Sequence, residues 1–405
     1  MTRLPARDRY DAIVDLHPPK SIHATAYAIV KQTFTIVGDG LALAQPQALA
    51  HDLRDEDAKP RIPPGSDFWL HKQATDVVVL GSAHAAAPVE RSWVGIQVGR
   101  RIKQVQVFGD RVLEWRRGTP RFSAPEPFET MPITIDRAYG GHDPRVPAPT
   151  PRDLFDHLRL EADHPGVYPR NPFGKGYVVV DDPVDGVALP NLEDPGDLLT
   201  PERVVVGNPE AWWRQPLAWS LDWHHPLMFP RYVYLGADAW YPGPEDAALV
   251  EVERGYLRAH YRQELIRPFS WLQSCPPAFY QEASLGLSFG GLEPGTPIQV
   301  VGMDPEGRGL AFAVPRAPKI ELWVAGECER VRPRASQLVI EPSERRVCLT
   351  WVARRSGMPR KFVPGIHAKI PVQLVVDDDA PLAYETPMPI RERLRLALAQ
   401  QEPTP

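Results

Sequence analysis

The chain has 405 residues and a formal net charge of −5, too long for one ordinary core and without the basic surplus of a general nucleic-acid binder. Prolines number 47, more than double the roughly 5% average, and each lacks an N–H and fixes φ. Such a chain is expected to run as short strands joined by long ordered loops, with helix in the minority.

Taken in order, residues 22–37 alternate well enough for a long strand, and Gly38-Asp39-Gly40 turns it into a second strand at 41–44. Residues 51–66 are polar and proline-rich, a loop. A short apolar run at 75–81 suits a buried strand. Residues 94–98 and 102–108 alternate around Gly99-Arg100-Arg101, another hairpin. Gly109-Asp110-Arg111 turns into a strand at 112–115, and 132–135 adds one more. Residues 10–141 therefore read as an N-terminal antiparallel β unit.

Residues 142–295 read as a proline-rich insertion of loops and short helices. Candidate helices fall at 152–158, 244–262 and 277–284. The second carries Leu249, Val252, Tyr256 and Ala259 on one face, with acids in its first turn. Strands return at 298–301, 310–314, 320–324, 337–341, 346–352 and 369–376, a C-terminal β unit within 296–385. A terminal helix is expected at 389–400, with Ile390, Leu394, Ala397 and Leu398 as its stripe. The fold class expected is all-β: antiparallel sheets in two β-sandwich-like units joined by the insertion.

No stretch of about 18 apolar residues occurs, so no membrane span or membrane partner is expected. The N-terminus lacks the apolar segment of a signal peptide, and the three cysteines, Cys275, Cys328 and Cys348, form no C-x-x-C pair. A cytoplasmic protein without disulfides is the expectation.

Chemical motifs are sparse. Gly286-Leu287-Ser288-Phe289-Gly290 fits G-x-S-x-G by letters, but that chemistry needs the serine on a strand-to-helix elbow, and the glycine-rich residues after it do not start a helix. Gly174-Lys175-Gly176 lacks the rest of a phosphate loop. Asp222-Trp223-His224-His225 is the densest group of metal-ligand types, yet adjacent residues on an extended segment point apart. No catalytic residue, cofactor or metal site is therefore expected. Trp212, Trp213, Trp219, Trp223 and Trp240 cluster in the insertion, where they can build a satellite core, anchor a protein partner or stack on a glycan. A glycan-binding module is the alternative reading of that cluster, and a serine hydrolase at Ser288 a distant third.

Four separated strings mix turn formers with charges and aromatics. They hold Asp67, Lys72 and Asp76 (65–81), Arg137 and Tyr139 (136–141), Asn171 and Lys175 (168–177), and Leu189-Pro190-Asn191 (189–195). Asp67 is placed to cap the turn after it, and Lys72 and Asp76 to pair with each other or with an arginine. Arg111 follows the tight Gly109-Asp110 corner. The strings at 65–81, 136–141 and 168–177 are expected to converge through charge-assisted hydrogen bonds.

In order and spacing these strings resemble a bacterial family of formerly uncharacterised domains found in type VI secretion gene clusters. The resemblance spans about residues 15–380. It implies an adaptor or chaperone that binds a secreted effector, the spike or the spike-tip protein, and it implies no catalytic residue. The segment after Trp213-Arg214 departs from the family pattern inside the tryptophan cluster. Asp67, Lys72, Asp76, Arg111, Arg137, Tyr139, Asn171, Lys175, Trp219 and Trp223 are thus the candidate partner-binding or motif residues, with Trp219 and Trp223 expected to help choose the effector.

Overall fold

A computed structural model describes residues 10–17, 25–49, 65, 67, 72–145, 166, 168, 171, 173–179, 184–204, 215–223, 281–355, 369–377 and 382–387. The first strands are β1 (Asp11–His17), β2 (Thr25–Val37), β3 (Gly40–Leu43), β4 (Thr75–Val79), β5 (Ser82–Val89), β6 (Arg91–Val98) and β7 (Arg101–Phe108). They are followed by β8 (Val112–Arg116), β9 (Thr119–Phe122) and β10 (Phe128–Pro132). Five two-residue strands come next: β11 (Tyr139–Gly140), β12 (Lys175–Gly176), β13 (Val187–Ala188), β14 (Leu192–Glu193) and β15 (Ser288–Phe289). The chain then forms β16 (Pro297–Val301), β17 (Leu310–Ala313), β18 (Ile320–Val324), β19 (Glu327–Val331), β20 (Arg334–Glu341), β21 (Arg346–Arg354), β22 (Lys369–Val376) and β23 (Leu382–Pro387). The single α-helix among the described residues, α1, is the four-residue Pro201–Val204. The fold is all-β and multi-sheet.

Three sheets dominate. The largest runs β1-β2-β21-β20-β4-β15, with β3 also on β2. The second runs β14-β7-β6-β16-β17, and the third β19-β18-β22-β23. Nearly all pairings are antiparallel; β20–β4 and β11–β12 are parallel. β2 is buried along almost its whole length, which fits its near-continuous apolar run and its place between neighbours. Side chains from all three sheets share one hydrophobic core.

These pairings depart from two separate sandwich-like units. Residues 27–35 pair with 346–354, and 76–79 with 337–340, so the largest sheet mixes both expected units. The second sheet does the same where β6 meets β16. Alternation reports which face of a strand is buried and carries no information about its partner. The expected helix at 277–284 also fails where described: residues 281–284 are loop, drawn onto β4 by side-chain bonds. Strand 132–135 is displaced, since β10 ends at Pro132 and a 3₁₀ turn covers Ile135–Arg137. Helices expected at 152–158, 244–262 and 389–400 lie outside the described residues.

Candidate functional site

Register builds the first cluster. Across the largest sheet Asp11 opposes Lys31, Lys31 opposes Thr350, Thr350 opposes Gln337, Gln337 opposes Asp76, and Asp76 opposes Ser288. Residues directly opposed in register share one face. One polar row therefore crosses six strands, and every member is buried.

Side chains from loops lie over that row and join its members. Asp67 accepts from Lys31 Nζ at 2.9 Å, from Gln337 Nε2 at 2.6 Å and from the Thr350 hydroxyl. Lys72 Nζ reaches Asp76 at 2.8 Å, Glu282 at 3.1 Å and Gln337 Oε1 at 3.2 Å. Asp76 also accepts from Gln281 Nε2 at 2.8 Å, the Glu282 amide at 2.7 Å and Ser288 Oγ at 2.7 Å. Burial opposes the Lys72 ammonium, but the charges of Asp76 and Glu282 outweigh it and hold Lys72 above its ordinary value. Trp223 lies beneath this lysine, its ring centroid 5.6 Å from Nζ. A buried charge without such partners would cost several kcal/mol, on the order of 3–5; here Lys31, Asp67, Lys72 and Asp76 each carry two or more bonds.

Ser288 is thus a sheet residue whose hydroxyl donates to a carboxylate. It sits in a two-residue strand with no following helix, and no histidine bonds it among the described residues. The turn after Asp67 lies outside the described residues; among them its oxygens serve β2, β20 and β21.

A second cluster gathers the other three strings. Gly140 and Gly141 run alongside 171–176 closely: the Gly141 amide bonds Asn171 O at 2.8 Å and the Tyr177 amide bonds Gly140 O at 3.0 Å. At Gly140, with φ +147, an added Cβ would stand 2.2 Å from Asn171 O, so only glycine fits. Asn171 Nδ2 ties the carbonyls of Ile135 and Tyr139 at 2.9 and 3.1 Å. Tyr139 packs edge-on against Tyr168, with centroids 5.1 Å apart, and Tyr168 in turn meets Tyr177.

Asn191 is the joint of this cluster. Its Oδ1 accepts from Arg137 and Lys175, both at 3.1 Å, and its Nδ2 donates to Asp110 at 2.9 Å and to Phe108 O at 3.1 Å. Asp110 stands 3.7 Å from Arg137 and 3.9 Å from Lys175. These three reach solvent: the Arg137 side chain is 26% exposed and that of Asp110 61%. Partial burial and the neighbouring Arg137 charge lower the Lys175 ammonium, against the pull of Asp110 and Asp136. Nearby, Arg111 pairs with Glu193 and stacks over Phe108 at 3.8 Å. Burial lowers the arginine and raises the glutamate, so desolvation outweighs the attraction in this pair.

The expected single convergence is therefore two centres. Asp67, Lys72 and Asp76 belong to the sealed row; Arg137, Tyr139, Asn171 and Lys175 belong to the partly open cluster around Asn191. Trp219 is half-buried, donates Nε1–H to Gln104 O at 2.7 Å and carries Lys103 Nζ 4.0 Å over its ring. Trp223 is 9% exposed. Trp212, Trp213 and Trp240 lie outside the described residues. Sequence reasoning missed Lys31, Glu282, Gln337 and Thr350. Their signal was faint: a lone polar residue inside an apolar run, as in Ala-Ile-Val-Lys31 or Gln337-Leu-Val-Ile. No group of three or more metal-ligand side chains occurs among the described residues. No helix among them is long and apolar enough to cross a membrane.

The molecule is an all-β protein whose largest sheet is crossed by a buried polar row, with a charged rim at Asn191. It belongs to a bacterial family described as "Uncharacterized protein conserved in bacteria (DUF2169)", whose model matches residues 22–352. Neither the curated proteins nor the solved structures contain a significant match.

Proposed function

We propose that this protein is a non-catalytic binding protein, an adaptor or chaperone of type VI secretion that holds an effector or the spike in the cytoplasm. The supporting observation is the contrast between the two centres. The polar row is buried and bonded from strand to strand, which suits a scaffold. The Asn191 cluster gathers three of the strings and leaves Arg137, Lys175 and Asp110 at a solvent-facing rim. Charged rim groups of this kind set orientation and association rate at protein interfaces. The resemblance of the strings to secretion-cluster adaptors supplies the partner class. Trp223, buried beneath Lys72, takes part in packing; recognition falls to the rim and the loops beside it.

The test is pull-down of purified effector and spike proteins encoded beside this gene, with the parent and an Arg137→Glu/Lys175→Glu variant. The parent is expected to capture one of them and the folded variant to lose it. Equal capture by both would move the interface elsewhere. Capture of neither protein by the parent would sink the adaptor reading.

A further inference from the structure

The outer face of the second sheet is unlike the rest of the surface. On the three adjacent strands β7, β6 and β16, register aligns Gln106 with Trp93, Gln104 with Gly95 and Val301, and Ile102 with Gln97 and Gln299. Opposed residues share a face, and no residue in this grid is ionisable; Arg91, two residues before Trp93, and Glu193, opposite Gln106, border it on the same face. Trp93 is 51% exposed although tryptophan is usually well covered. It leans along its strand over Gly95: a Cβ at that glycine would sit 3.6 Å from Trp93 Cζ3. Gly95 thus leaves room for an indole that lies towards the sheet and stays open on its far side.

We propose that this face binds a neutral oligosaccharide, with Trp93 as the stacking platform. The argument rests on size and on chemistry. From Trp93 to Gln97 is about 14 Å, and three strands span about 10 Å, a footprint on the order of 150 Å². A stable protein interface needs about 800 Å² per partner, so neither a second copy nor a folded protein is held by this patch alone. A short sugar chain fits it. The C–H face of a pyranose ring stacks on an open indole, and side-chain amides both donate to and accept from hydroxyl groups. Gln104 and Gln299 are exposed and flank the Trp93–Gly95–Gln97 line on its two sides.

The probes are cellotriose and chitotriose as neutral ligands and trigalacturonate as the anionic control. Binding is read by saturation-transfer NMR and titration calorimetry on the full chain. Millimolar binding of at least one neutral probe is expected, weaker by about tenfold or more in Trp93→Ala. Because Trp93 is exposed, the variant should keep the parent's melting curve. Gln104→Ala should weaken binding severalfold. Failure of both neutral probes to bind, or binding unchanged in Trp93→Ala, would overturn the proposal. So would a dimer, seen by sedimentation, that Trp93→Ala dissociates, because the face would then be a self-association surface.

Discussion

Lys72 Nζ and Asp76 Oδ2 lie 2.8 Å apart with side chains 1% and 0% exposed, one on a loop and the other on a strand. The pair ties a loop to β4, the strand next to the short edge strand β15 of the largest sheet. It also sets the scale for what the buried row contributes.

Asp76→Ala should be severely destabilising. It would remove the acceptor of Lys72, Gln281, Ser288 and the Glu282 amide together. Breaking a buried pair from one side costs about 3–5 kcal/mol. Arg137→Ala, at the open rim, should cost about 1 kcal/mol or less. Urea denaturation of both variants checks this; similar small losses would show that the row is not a sealed, coupled network.

Gly140→Ala should disrupt the tyrosine cluster. Its Cβ would meet Asn171 O at 2.2 Å, and its φ of +147 is unfavourable for alanine. Gly186→Ala is the control, since its φ is +80 but nothing lies within 4 Å of the added carbon. Backbone strain alone is worth about 1–3 kcal/mol, so the expected excess at Gly140 measures the close approach. Equal melting shifts in the two variants would refute that approach. Near-UV circular dichroism should lose tyrosine signal only for Gly140→Ala.

Acid should weaken the fold through Asp143. Burial raises this carboxyl, but bonds from Arg145 and the Val179 amide win and lower it from 3.8 to about 2. The unfolded chain then takes up this proton more readily than the folded one. Its stabilisation is complete above the ordinary carboxyl range and is lost as pH falls from about 4 to about 2. Asp143→Asn should flatten that part of the stability profile. A variant profile as steep as the parent's would assign the acid limb to other groups.

Alkali should strengthen the fold through Lys103. Burial drives its ammonium well below the ordinary value, with the charge of Asp194 acting in the opposite sense. Its bonds go to Ser284 Oγ and Leu285 O, with the Trp219 ring below. Between the depressed folded value and the ordinary 10.5 the unfolded chain binds the extra proton, so stability rises with pH across that window. Lys103→Met should remove this rise, read as urea midpoints at neutral and alkaline pH. If the parent shows no rise, the cation–π contact, worth up to about 2 kcal/mol when desolvated, has offset the burial.

Strand existence was legible because burial writes itself as alternation or as an apolar run. β2, β4, β7, β18 and β21 all fall where those patterns stood. β5 (Ser-Ala-His-Ala-Ala-Ala-Pro-Val) and β19 (Glu-Cys-Glu-Arg-Val) were missed, because alanine-rich and charged stretches look like loops until a neighbour supplies the ladder. Lys72 with Asp76 was readable as a local pair. Glu282 and Gln337 were not, since their partnership depends on which strands meet, and they lie 210 and 265 positions from Lys72. Asn191 stood in a recognised string, but its role as a joint appears only once Arg137, Lys175 and Asp110 surround it.

The β2–β21 seam has a consequence for how the chain is made. Trp351 donates its indole N–H to Gln32 at 2.9 Å across 319 sequence steps, and among the described residues β2 has no other neighbour on that flank. During synthesis, β2 and β4 emerge from the ribosome long before β20 and β21. Pairings this distant in sequence form slowly, and strand edges left open meanwhile invite association with other nascent chains. A chain terminated before β20 would keep both early strands and lack the pair that joins them. Such fragments should accumulate as aggregates, and the yield of native protein should depend on the rate at which the stretch of message coding for β20 and β21 is read.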